Sequence, residues 1–315
     1  MDKHNIKFRI SLIIFFLFLL LEIGARWGVG LGTPPLTIEH PSIDYMFAPN
    51  QDVSRFGNRQ IYNAQSMRSL PLKTVGNRQL VLAFGDSVLN GGSLSDQKKI
   101  ATTIATNKDT FFGNVSAGSW GPGNYRAWIN EFGLFNAQVV IFVLSDHDFV
   151  DQPDFAALDP NTHPTKRPFM AISELVTRYL PRYLPKSLGA PLRLETQKIT
   201  RNKPLGQNTV EEDFNSMLDQ FAKGRIRVCM LFHPRQTELA GGLRKGIAGF
   251  KEIASSWKVP TLDLASRYRE LKEPTSVFRD NDDIHLSDKG QEVLSVALRD
   301  CLVISAVPLK SGGSL

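Results

Sequence analysis

The chain has 315 residues and is poor in cysteine, with Cys229 and Cys301 only. Two thiols exclude a disulfide-rich scaffold. Cys229 falls inside an apolar strand-like run and Cys301 late in a helix-like one, so the preferred reading is two small buried side chains, with a single bridge between them left open. Long apolar runs are also scarce: only the amino-terminal stretch is long enough to cross a bilayer. No internal repeat is present, which excludes a solenoid or propeller. There is no His-Glu-x-x-His zinc signature and no Gly-x-Ser-x-Gly elbow. The glycine-rich loop around Gly118 lacks both the lysine of a phosphate-binding loop and the Gly-x-Gly-x-x-Gly order, which argues against nucleotide binding.

Acidic residues nearly vanish between Lys166 and Lys203. There Glu174 and Glu195 alone oppose Lys166, Arg167, Arg178, Arg182, Lys186, Arg193, Lys198, Arg201 and Lys203. This stretch reads either as a lid meeting an acidic polymer or an anionic membrane surface, or as an insertion whose charge only keeps it soluble. With Tyr179 and Tyr183 as its interleaved aromatics, it does not argue for nucleic acid.

What is present is otherwise ordinary for a globular protein: 42% hydrophobic and 22% charged residues, with a net charge of +6. The pI of about 9.3 suits an anionic partner or surface. Lys3, Lys7 and Arg9 precede a nearly all-apolar run from Ile10 to Ala25, extendable to Leu31. Glu22 and Arg26 are spaced to pair on a helix, and Trp27 sits where an interfacial aromatic belongs. A basic head stays cytoplasmic, so everything after the run is expected outside, as a single-pass protein of the cytoplasmic membrane with a periplasmic body. A cleaved signal peptide competes, but Ala25 is a poor cleavage position, and the uncleaved anchor is preferred.

Residues 32–76, rich in Pro, Gly, Asn and Ser, read as a connector over the surface, with room for a short strand around Ile38 or Tyr45. From Asn77 strands and helices alternate. Strands are expected at Leu80–Phe84, Phe111–Val115, Ala137–Leu144, Ile226–Phe232 and Pro260–Leu264. Helices are expected at Ser95–Ala105, Tyr125–Phe135, Ala171–Leu180, Thr209–Ala222, Thr237–Trp257, Ala265–Leu271 and Ser287–Cys301, the last with Ser287 as N-cap. That alternation implies a doubly wound parallel sheet, interrupted by the basic insertion at about 145–207. The tail from 307 to 315 is expected to be disordered.

The first strand stops at Gly85-Asp86-Ser87, which puts a hydroxyl at the carboxyl end of a buried strand, where open α/β sheets bind ligands. A serine needs a base, and the base needs an orienter. His40, His163 and His233 lie in loops or beside proline and read as surface or satisfied histidines. His285 differs, because it follows Asp282 by three residues in a turn that opens a helix.

Gly85-Asp86-Ser87 with Asp282-x-x-His285 resembles the SGNH (GDSL) hydrolases, and Leu286-Ser287-Asp288-Lys289-Gly290 is a continuation common in that family. The resemblance spans roughly Arg78 to Ala306. It implies a flavodoxin-like three-layer α/β/α sandwich with a central parallel sheet, here preceded by an N-terminal transmembrane helix. It also implies Ser87 as nucleophile, His285 as general base, Asp282 as its orienter, and the Ser87 and Gly118 N–H groups as oxyanion donors. The family's Asn-x-Gly-x-x-Gly block reads Ser116-Ala117-Gly118-Ser119-Trp120-Gly121 here, with an alternative register anchored on Asn114. Its Gly-x-Asn-Asp block reads Ser145-Asp146-His147-Asp148, so His147 stands where an asparagine amide is usual and is assigned as third oxyanion donor.

The function expected is ester hydrolysis or O-acyl transfer through an acyl-serine, on acetylated polysaccharide outside the membrane or another small ester. No cofactor is expected, and polysaccharide-assembly proteins are candidate partners. One alternative is a silent carbohydrate-binding or scaffold component of an export complex. A second is a metal-dependent hydrolase, with Asp146, His147, Asp148 and Asp151 joining Asp280, Asp282 and His285 around a metal.

Overall fold

A computed structural model describes residues 3–195, 208–242 and 244–309. Its strands are β1 (Thr37–His40), β2 (Asp44–Phe47), β3 (Gln51–Arg55), β4 (Asn58–Tyr62), β5 (Gln79–Gly85), β6 (Thr110–Ser116), β7 (Val139–Ser145), β8 (Arg227–His233) and β9 (Thr261–Asp263). The last five form one sheet in the order β6-β5-β7-β8-β9, and every neighbouring pair is parallel. The fold is α/β, with helices on both faces of this sheet.

Alternation along each strand explains the two layers. Leu80, Leu82, Phe84, Val140, Phe142, Met230 and Phe232 point to one face, where helices Pro122–Phe132, Val210–Lys223 and Lys245–Trp257 cover them. Val81, Ala83, Val139, Ile141, Val143, Cys229 and Leu231 point to the other, under helices Ala101–Ala105, Leu264–Arg269 and Asp288–Ile304. With both faces covered, the strands are continuous apolar runs.

Three expected helices are shorter or interrupted. Ser95–Ala105 forms a helix only over Ala101–Ala105. Upstream, the Asp96 carboxylate accepts the Lys98 and Arg59 N–H groups, an arrangement that competes with helix formation. The run Thr237–Trp257 breaks at Gly241, whose φ of 99° is open to glycine, and resumes as Lys245–Trp257. Ala171–Leu180 is regular only to Glu174, after which the turns widen and then tighten into Pro181. Ser287 does cap the last helix, its Oγ accepting the Gly290 N–H at 3.2 Å.

Two regions depart further from the sequence reading. Residues 32–76 are not a surface connector. They fold as two antiparallel hairpins, β1–β2 and β3–β4, and Ile43, Tyr45, Met46 and Met67 enter the main core. Gln51 clamps the hairpins together by accepting the Leu36 N–H at 2.7 Å and donating to the Leu36 carbonyl at 2.9 Å. Arg68, fully buried, donates to the Asn90, Gly92 and Ser95 carbonyls and so fastens this region to the segment after β5. Cys229 and Cys301 are joined by a disulfide, not free: both side chains point into the same apolar layer, with Cα atoms 5.8 Å apart.

The helix Lys3–Ile23 continues in a wider-turned segment to Val29, and Asn5–Val29 is long and apolar enough to cross a membrane, with none of its apolar window buried in the body. Of the basic insertion, Lys198, Arg201 and Lys203 lie outside the described residues. So does the expected disordered tail beyond Leu309, which itself is buried against the core.

Candidate active site

In the strand order found here the chain reverses direction of winding after β5: it moves to β6 on one side and then to β7 on the other. Loops leaving these strands part at that point and leave a crevice, the usual ligand position in such sheets. Ser87, Gly118 and His147 each lie two residues beyond the ends of β5, β6 and β7.

Ser87 opens a short helix, Ser87–Asn90, capped by Asp86, whose Oδ1 accepts the Val88 N–H at 2.8 Å. The first amides of a helix have no partner within it. Neither the Ser87 nor the Gly118 amide donates to an acceptor among the described residues. The Gly118 loop is held from outside: the Tyr45 hydroxyl donates to the Gly118 carbonyl, and Trp120 Nε1 donates to the Tyr45 carbonyl at 2.9 Å.

The loop between Phe278 and Leu286 is pinched by an antiparallel bridge between those two residues. Inside it, Asp282 Oδ1 accepts the Ile284 and His285 N–H groups at 3.0 and 2.9 Å. That turn aims Asp282 Oδ2 at His285 Nδ1, 2.8 Å away, and His285 Nε2 lies 2.9 Å from Ser87 Oγ. Burial alone would raise the Asp282 carboxyl, but the two N–H groups and the imidazole outweigh it and hold it below the usual carboxylate range. An ionised Asp282 fixes the tautomer with the proton on Nδ1, leaving Nε2 free to accept the serine proton.

His147 does not meet its expectation. It is absent from the lining of the pocket that holds Ser87, Gly118 and His285. Its Nε2 lies 3.1 Å from Asp86 Oδ2, 3.4 Å from Asp148 Oδ1 and 3.8 Å from Asp151 Oδ2, while its Nδ1 is buried without a partner. Asp86 and Asp148 are completely buried, and among the described residues the His147 imidazole lies within reach of both. Burial disfavours the charged imidazole, yet the Asp86 bond and the Asp86 and Asp151 charges outweigh it and raise its pKa. The neighbouring Asp148 is pushed well above the ordinary carboxylate range by burial and by Asp86. The imidazole is thus turned toward buried carboxylates and away from the lining of the Ser87 pocket.

The metal set drawn from the sequence is split as well. Asp282 is bonded to His285 and His285 to Ser87, while Asp146 Oδ1 accepts the Ile247 N–H at 3.1 Å. That contact is possible because residue 246 is glycine, where a Cβ would lie 1.9 Å from the Asp146 carbonyl oxygen. Asp86, His147 and Asp148 do place donor atoms within 4.8 Å of one another and are the described residues that could hold a cation. The alternative register anchored on Asn114 would put Ser116 in the donor position, but Ser116 is buried with its carbonyl accepting Asn90 Nδ2 at 2.9 Å, whereas Gly118 lines the pocket.

Several pocket residues carry no motif. The cavity, about 220 Å³, is closed by Pro35, Thr37, Tyr45 and Phe47 from the first hairpin, and by Arg55, His163, Pro164, Arg178 and Tyr179. Arg55 and Arg178 both bind the buried Glu174, which also accepts the Gly32 N–H at 2.6 Å. Arg279 ties the His285 loop to the Ser87 side, donating to Leu286, Gly91 and Ser95. His233 is buried beneath that loop, with Nε2 2.8 Å from the Ile284 carbonyl and Nδ1 3.2 Å from the Tyr268 hydroxyl. Burial lowers its pKa to about 4. The sequence signal available for His233 was a histidine closing an apolar strand, which marks a buried polar group without saying what it holds.

No protein-family model matches the chain, and no curated protein matches it in sequence. Solved structures that match the chain include a member of the lipolytic protein G-D-S-L family from Veillonella parvula, 10% identical, covering 70% of this chain and 97% of that one at a TM-score of 0.42. They also include the lipase/acylhydrolase from Enterococcus faecalis, 11% identical, covering 75% and 100% at 0.41. A two-domain esterase active on acetylated mannans is 12% identical, covering 77% of this chain and 55% of that one at 0.43.

Proposed function

We propose that the protein is a serine-dependent ester hydrolase or O-acyltransferase, anchored by its N-terminal helix and acting outside the membrane on an O-acylated carbohydrate. The observation that carries the reading is the continuous chain from Asp282 through His285 to Ser87, with contacts of 2.8 and 2.9 Å. In this reading Ser87 Oγ attacks the acyl carbon while its proton passes to His285 Nε2. Negative charge developing on the carbonyl oxygen is met by the Ser87 and Gly118 N–H groups, each typically worth about 2.7–4 kcal/mol in such a site. The imidazolium, stabilised by Asp282, returns its proton to the departing alkoxide. Water, or a sugar hydroxyl, then attacks the acyl-serine with His285 taking its proton and passing it to Ser87 Oγ as the acyl–oxygen bond breaks.

A cavity of about 220 Å³ suits a short acyl group and one sugar ring better than a long acyl chain. The basic body and the anchor favour a polymer or glycan met at the membrane over free small esters. Turnover of an activated acetyl ester by the full chain, compared with Ser87→Ala, tests the reading. A fall of at least about 10³-fold is expected. Equal rates in the two would overturn it in favour of a binding or scaffold role, and a chelator-sensitive activity that survives the substitution would favour the Asp86–His147–Asp148 cluster.

A further inference from the structure

The chain from Pro164 to Ile172 runs from the pocket wall to the outer end of the N-terminal helix. Pro164 lines the cavity, and its carbonyl accepts the Thr37 N–H at 2.8 Å. The Phe169 carbonyl accepts Arg26 Nη2 at 3.1 Å. Beside it the Glu22 carboxylate accepts the Ala171 and Ile172 N–H groups at 2.7 and 3.0 Å, while also bonding Arg26 at 2.8 Å.

Glu22 and Arg26 belong to the apolar segment Asn5–Val29. With Arg9 at the inner boundary, a helical rise of about 1.5 Å per residue puts Arg26 about 25 Å further along, near the far edge of a hydrocarbon layer about 30 Å thick. The contacts therefore hold residues 166–170 at the depth of the outer lipid headgroups. At that depth the loop offers Lys166 and Arg167, both exposed and without an acidic partner among the described residues. Phe169 is 93% exposed and Trp27, on the anchor itself, 83%. Two nearly bare aromatics beside two unpaired cations are costly against water and well matched to a headgroup region. An extended chain reaches at most about 18 Å between Pro164 and Phe169, so the pocket wall cannot stand far from this level.

We propose that the Lys166–Phe169 loop is a membrane-docking surface: Phe169 enters the interface of an anionic bilayer beside Trp27, Lys166 and Arg167 pair with lipid phosphates, and the pocket is held at the membrane surface. This rests on the reading of the N-terminal helix as a span. The catalytic consequence is that substrate is drawn from within a few nanometres of the bilayer and not from bulk solution.

The test uses the full chain in vesicles rich in phosphatidylglycerol, with bromine-labelled acyl chains as tryptophan quenchers. Trp120 and Trp128 are buried in the body, and Trp257 lies at the end of a body helix. Quenching that Trp27→Phe removes reports the span. In that background, Phe169→Trp is expected to restore quenching, and adding Lys166→Glu with Arg167→Glu is expected to cut the restored signal by at least about half. Absence of Trp27 quenching overturns the span and this proposal with it. Trp27 quenched with Phe169→Trp silent overturns the docking surface alone. Quenching at position 169 that is indifferent to charge reversal overturns the assignment to anionic lipid.

Discussion

One wall of the pocket stands on the ends of parallel strands, and the other on two hairpins and an insertion fastened by buried charge. The first wall is local in origin. Ser87 is placed by the cap that its neighbour Asp86 forms, and His285 by a turn that Asp282 forms three residues earlier. The second rests mainly on long-range contacts: Arg55 meets Glu174 across more than a hundred residues, and Tyr45 reaches the Gly118 carbonyl across more than seventy. Walls built in these two ways should fail differently, the first losing chemistry with its stability kept, the second losing its shape.

The largest expected effect lies on the first wall. Asp282→Asn should lower kcat by roughly 10⁴-fold, about 5.5 kcal/mol of barrier, with little change in melting temperature, because an amide favours the wrong imidazole tautomer while keeping the turn's geometry. Rate measurement beside a thermal melt separates the two, and a large loss of stability with modest rate change would break the contrast.

On the second wall, Glu174→Ala leaves the buried Arg55 guanidinium without its counter-charge and strips the Gly32 N–H of its acceptor. Removing one partner of such a buried pair costs roughly 3–5 kcal/mol. Chemical denaturation should show that loss, and activity should fall through an ill-formed pocket, with Glu174→Asp recovering part of both. An unchanged denaturation midpoint would show the hairpins and insertion to be held by something else.

The smallest effect sharpens the boundary between the walls. His233 supports the Asp282–His285 loop through the Ile284 carbonyl, and its folded pKa of about 4 lies below the ordinary histidine value of about 6.5. Below pH 6.5 the unfolded chain takes up a proton that the folded chain refuses, so stability contributed by this group is lost as pH falls from about 6.5 to about 4, by roughly 3 kcal/mol in all. His233→Phe should cost roughly 1–3 kcal/mol at neutral pH by orphaning the carbonyl, and should flatten the acid limb relative to the native chain. Parallel pH–stability curves for the two proteins would remove His233 from this role.

The same division explains what could be read from the sequence. The five sheet strands, the cap at Ser287 and the Ser87–Asp282–His285 set were legible because each is written in contiguous residues: an apolar run, a turn tripeptide, an Asp three places before a His. Residues 32–76 were misjudged because proline and glycine mark turns without saying whether strands between them are buried. The pocket residues Arg55 and Arg279 were hidden because they bond to remote positions, Glu174 and the Gly91–Ser95 segment, and a lone arginine in a sequence looks like surface charge. His147 shows the converse limit. Its place after β7 was right, but the direction of its ring depends on buried carboxylates at Asp86 and Asp148, and no spacing reports where a carboxylate is buried.

The Cys229–Cys301 bond joins a central strand to the helix that follows the His285 loop. Such bonds persist where oxidant is available, and closing a loop of 72 residues adds about 4 kcal/mol by the chain-entropy estimate. In a chain anchored as proposed, the final helix can be bolted down only after the body has crossed the bilayer. The bond would then fasten the helix that follows the His285 loop to the sheet at the place where the body works.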